Sequence, residues 1–220
     1  MAWGLARESS CAGCTDWVAF LEAEKVVPLV AYYASLPGGG SREGTGYGTA
    51  QKNLFEIYRL WRDAHGVDLS DDAPHAADTI DDWIHATVPT FERFAPIGDQ
   101  SRSSIPELYD YHRHLVLAAR ALADPGSEVA RRASWWLRRM SVNEMTSGFN
   151  FRHDLLPEGE DELAPATLLH HSPGAGHLFA RTGWDRNAVW LAAVAGTYNE
   201  SHAHQDQGSF ALFRGDWLAV

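Results

Sequence analysis

At 220 residues, with 45% apolar and 21% charged side chains, the chain has ordinary globular composition and room for one large or two small domains, which excludes a disordered reading. Its 29 acidic against 18 basic residues give a net charge of -11, which argues against a nucleic-acid or anionic-membrane surface, since both need clustered Lys and Arg. No run of 18 apolar residues occurs, so no helical membrane span is expected.

The first residues, Met1-Ala2-Trp3-Gly4, have neither the basic start nor the apolar run of a secretion signal. The only two cysteines, Cys11 and Cys14, form a C-x-x-C. A redox pair or half a zinc site is one reading of it. With no second pair at zinc-ribbon spacing and no strand pattern before Cys11, chance pairing is favoured.

A first helix is predicted over 16–35, with Trp17, Phe20, Leu21, Val27, Leu29 and Val30 loosely on one face. Pro37 and the following three glycines stop it. A second helix over 49–64 carries Leu54, Ile57, Tyr58 and Trp61 as one stripe and closes at Gly66. A third, over 72–87 with Pro74 in its first turn, turns Ile80, Trp83, Ile84 and Thr87 inward. A fourth covers 106–123 with Leu108, Tyr111, Leu115 and Ala118, and a fifth covers 128–140 with Trp135 and Trp136 as anchors. After Ser141 the period shortens to that of strands, at 148–152, 167–171, 178–182, 188–195, 208–213 and 217–220. Helices first and strands afterwards imply two layers built separately, 1–145 and 146–220. The acidic, proline-containing stretch 157–165 is a linker or a hairpin loop near that change.

The most informative segment is His202-Ala203-His204-Gln205-Asp206. In an extended strand, residues two apart share a face, so the three polar side chains would project together. Two histidines and a carboxylate are ordinary ligands for a first-row metal, zinc first; the equally weighted alternative is the solvent face of an antiparallel strand. Upstream, Glu43-Gly44-Thr45-Gly46-Tyr47-Gly48 is a glycine-rich loop leading into the second helix, and it lacks the G-x-G-x-x-G spacing of a nucleotide cradle. A third loop holds Gly98-Asp99 and Arg102. Arg102 offers a planar fork for a carboxylate or sulfate, whereas Asp99 as a backbone cap is about as good a reading. His112 and His114 lie two apart on a helix, point different ways, and are read as surface or cleft lining. His153, His170, His171 and His177 are read as structural, and Trp83, Trp135, Trp136, Trp184 and Trp190 as core rather than sugar platforms.

From Glu43 to Val220 the sequence resembles the heparinase II/III-like polysaccharide lyases and the related alginate lyases. The family carries an H-G-H-x-D-x-G-x-F-like segment at the start of its β-sandwich, matched by His202 to Phe210 with Ala203 in place of glycine, and an E-G-x-x-Y segment matched at Tyr47. The resemblance implies a partial (α/α) toroid followed by the first strands of an antiparallel β-sandwich. It implies Tyr47 and His202 as catalytic residues, His204 as a ligand of a structural zinc, and the Asp99 and Arg102 loop on the substrate side of the cleft. It also implies an acidic polysaccharide substrate and a periplasmic or secreted setting. The remaining zinc ligands and the group that neutralises the substrate carboxylate have no candidates here, so the chain is expected to be a piece truncated at both ends and a weak catalyst by itself.

The implied reaction is β-elimination. A base removes the weakly acidic proton beside a uronate carboxylate, polar donors or a cation stabilise the enolate-like intermediate, and an acid protonates the leaving oxygen. Free tyrosine titrates near 10, so Tyr47 needs a donor or positive neighbour to act as base, and His202 is the residue expected to supply it or to be the base itself. Two alternatives remain open: a zinc hydrolase using His202, His204 and Asp206 on metal-bound water, and a non-catalytic carbohydrate-binding remnant.

Overall fold

The computed structural model describes residues 13–71, 74–99, 106–142, 155–199 and 202–220. Cys11, Arg102 and the strand expected at 148–152 lie outside them. Helices α1 (Cys14–Leu21) and α2 (Val27–Ala34) are joined by a π-helical turn, Glu22–Val26. One continuous helix was expected there. Pro28 has no N–H to give to the carbonyl four residues back, and just before it the Val27 N–H reaches five residues back to Glu22, a single-turn π-bulge. Trp17 and Phe20 are exposed, so the stripe expected on α1 is not buried.

Helices α3 (Gln51–His65), α4 (His75–Ala86), α5 (Asp110–Arg120) and α6 (Glu128–Leu137) make the main core. The stripe of α3 buries Leu54, Phe55, Tyr58 and Trp61, and Gly66 ends the helix with φ 71° and its N–H on the Arg62 carbonyl, the left-handed cap that favours glycine. α4 is buried on nearly every side. Its Ile80, Trp83 and Ile84 join the aromatic and aliphatic core under α3, α5 and α6, whereas Asp82 and His85 on its other side meet the sheet. Trp136 is fully buried and donates its indole N–H to the Thr87 hydroxyl at 2.9 Å.

His112 and His114 are buried, not on a surface or cleft: His112 accepts the Tyr109 N–H at 2.8 Å and packs its ring between Trp83 and Phe94, 5.1 and 4.7 Å away. Within the stretch read as a linker or hairpin loop, residues 157–162 lie as a strap along the helices. The Arg120 and Arg138 guanidiniums donate to the Pro157 and Gly159 carbonyls at 2.7 and 2.9 Å, and Arg139 grips both oxygens of Glu162.

The strands form one antiparallel sheet in the order β1 (Leu169–Ser172), β2 (His177–Arg181), β3 (Trp190–Val194), β4 (Phe210–Phe213), β5 (Trp217–Ala219). Cross-strand pairs such as Phe179 with Ala192 and Trp190 with Phe213 put one face inward, onto Ala86, Val88, Ala95 and Ile97. The buried Arg181 donates to the carbonyls of His85 and Thr87 at 3.0 and 2.7 Å, where a cation suits the negative end of α4. The helical layer and the sheet are thus in direct contact along α4.

Candidate functional site

Three loops converge at one edge of this contact. The first, 43–50, runs into α3 through a 3-10 turn, Tyr47–Ala50. The second, 95–99, follows α4. The third is the long connection from β3 to β4, which carries His202 and His204. The first two are laced together: the Thr45 N–H and hydroxyl bond to the carbonyls of Ile97 and Ala95 at 2.9 and 2.6 Å, and the Gly46 N–H donates to the Asp99 carbonyl at 3.1 Å. Gly44 and Gly98 meet across this ladder with φ of 93° and 63°. A Cβ on Gly44 would lie 2.2 Å from the Ile97 carbonyl oxygen, so only glycine fits.

The H-x-H-x-D segment is not an extended strand. His202 has a left-handed backbone, φ 67°, which breaks the two-residue alternation and turns both imidazoles to one acceptor. Nδ1 of His202 lies 2.8 Å from Oδ2 of Asp99, and Nε2 of His204 lies 2.8 Å from Oδ1. The Tyr47 ring stacks on the His202 ring with centroids 4.0 Å apart and planes within 11°. Tyr47, Asp99, His202 and His204 therefore form one cluster, open to solvent. The hydrogen bonds from His204 and then His202 hold the Asp99 carboxyl below the usual carboxylate range, so it is ionised at neutral pH.

Asp206 faces a small recess beside the cluster, lined also by Arg42, His177, Thr197 and His204. His177 is buried there, its Nδ1 has no partner among the described residues, and burial pushes its pKa down. Among the described residues no three His, Cys, Asp or Glu side chains converge so as to hold a metal ion, and a structural zinc takes four ligands. The described residues around His204 do not by themselves complete such a set, and further ligands would have to come from elsewhere.

Asp99 is the residue whose contacts the sequence reading missed. It reads as a backbone cap or a substrate contact, and the only signal for more was its place in a loop after α4, because the partners lie 103 and 105 residues further along.

No protein-family model matches the chain. A heparin-sulfate lyase from Pedobacter heparinus is 32% identical over 92 residues, 42% of this chain and 13% of that protein. Among solved structures, a heparinase III superposes with a TM-score of 0.63 at 13% identity, covering 97% of this chain and 32% of that one. The heparan sulfate lyase HepC of Pedobacter heparinus superposes at 0.58 with 18% identity, covering 98% and 30%. The chain resembles the heparinase-like polysaccharide lyases in sequence and in fold. Helices followed by a five-stranded antiparallel sheet are common to this chain and these neighbours, and the chain spans about a third of their length or less.

Proposed function

We propose that this chain contributes to a polysaccharide lyase that cleaves a uronic-acid-containing polymer by β-elimination, with a heparin- or heparan-type polymer as the first substrate to test. The observation that carries the reading is the stack of Tyr47 on His202. β-Elimination needs a base and an acid on one reacting unit, and two titratable groups in ring contact at an open edge meet that demand. In this reading Tyr47 and His202 share the removal of the proton beside the carboxylate and the protonation of the leaving oxygen. The relatives' names support the substrate class, and Arg42 lining the recess beside His204 places a cation near the site of an otherwise acidic protein.

The helices are proposed as part of an (α/α) toroid and the sheet as one half of a β-sandwich. The sheet's outer face supports the second assignment: Leu169, Leu178, Leu191, Phe210 and Leu212 lie there, only partly buried or exposed, and a face so apolar is normally covered by a second sheet.

The test is incubation of a full-length enzyme carrying this segment with heparan sulfate and other uronate polymers. Lyase action yields an unsaturated product absorbing in the near ultraviolet, and Tyr47→Phe and His202→Ala are each expected to lower its rate by about 100-fold or more. New reducing ends without that absorbance would replace the lyase with a hydrolase, and retention of polymer with neither would leave a binding module.

A further inference from the structure

We propose that Asp99 is the positioning residue of this site: its carboxylate fixes the His202 imidazole with the proton on Nδ1, leaving Nε2 to face substrate beside the Tyr47 phenol. The use made of Nε2 rests on the lyase reading; the fixed imidazole does not.

An ionised carboxylate only accepts hydrogen bonds, so both imidazoles at 2.8 Å must donate to it. His202 donates from Nδ1 and His204 from Nε2. The two histidines are therefore held in opposite senses, and when neutral they offer different nitrogens outward, Nε2 from His202 and Nδ1 from His204. A carboxylate behind an imidazole also favours the charged imidazolium while a proton is in transit.

The clamp is anchored at both ends. The Asp99 carbonyl takes the Gly46 N–H one residue before Tyr47, and Thr45 is bonded to Ile97, so the carboxylate, the phenol and their spacing are set by one ladder. At the other end His202 sits at φ 67°, a conformation that persists only where its surroundings over-determine it. Direct contact of Asp99 with a polyanion fits less well. Both of its oxygens are already engaged, and a carboxylate facing a substrate carboxylate or sulfate is repulsive.

The experiment reads the proton directly. Two-bond 1H–15N correlations on the 220-residue chain, at a pH where the imidazole is neutral, report which nitrogen of His202 is protonated. Free histidine favours Nε2–H, so Nδ1–H at His202 is the expected signature of the clamp. In Asp99→Ala that signal is expected to revert to Nε2–H, and Asp99→Glu to recover part of it. In the lyase assay Asp99→Ala should lower kcat at least about tenfold with KM little changed.

A wild-type His202 protonated on Nε2 would overturn the proposal, as would an Asp99→Ala variant whose His202 stays Nδ1–H. So would a raised KM with unchanged kcat, which would make Asp99 a substrate contact. If Asp99→Ala fails to fold, the wild-type tautomer alone decides. Should a full-length enzyme carrying this segment give no unsaturated product while His202 is Nδ1–H, the lyase reading falls and the clamp stands.

Discussion

His202 and His204 are two residues apart and share one carboxylate, yet the resemblance assigns them different work. If His204 binds a structural zinc through further ligands, His204→Ala should lower both metal content and melting temperature, because affinity for a site formed only on folding adds to stability. His202→Ala should leave the melting temperature nearly unchanged and remove turnover, since an exposed cleft side chain acts on the transition state rather than on the core. Metal analysis beside thermal unfolding decides. Equal zinc loss in both variants would favour a shared metal of the hydrolase kind, and a wild type without zinc would withdraw the metal from His204 altogether.

At the scale of elements, the site depends on two loops being held back to back. Gly44 and Gly66 both have positive φ but differ in surroundings. A Cβ on Gly66 meets nothing within 4 Å, whereas one on Gly44 strikes the Ile97 backbone. Gly66→Ala should therefore cost only the left-handed penalty of about 1–2 kcal/mol. Gly44→Ala should cost clearly more and separate Tyr47 from Asp99, abolishing activity. Thermal unfolding of the pair checks this, and a Gly44→Ala protein that melts no lower than Gly66→Ala would show that the ladder does not set the site.

The same scale explains where the basic residues go. Arg120, Arg138 and Arg139 tie the 157–162 strap to α5 and α6, and Arg132 forms a bidentate pair with Asp81 at 2.7 and 2.8 Å. These guanidiniums close the helical layer instead of forming a broad polyanion surface, consistent with the acidic net charge.

For the whole molecule, histidines buried around α4 set the response to acid. Desolvation lowers the pKa of His75, His85, His112 and His177, with His85 and His112 pushed down to about 3. In the unfolded chain histidine titrates near 6.5. Between those values the unfolded state takes up protons that the folded state refuses, so stability is full above about pH 6.5 and is lost as pH falls toward about 3. His85 and His112 each contribute up to about 1.4 kcal/mol per pH unit within that window. The melting temperature is expected to drop between about pH 7 and about pH 5, and His112→Gln to flatten the slope whatever it does to the level. A melting temperature constant across that interval would contradict this account.

The order of helices and strands was legible in the chain because it is written in hydrophobic period. Leu54, Tyr58 and Trp61, or the alternating Phe179 and Arg181, bury the same face whatever they pack against, so α3–α6 and the five described strands fall near their expected places. The residue types at Tyr47, His202 and His204 were legible as a motif. Period says nothing about what lies across the chain. That His112 enters the core and that Asp99 joins two histidines about a hundred residues away were decided only in three dimensions. Burial and a shared carboxylate act between partners that local sequence does not bring together.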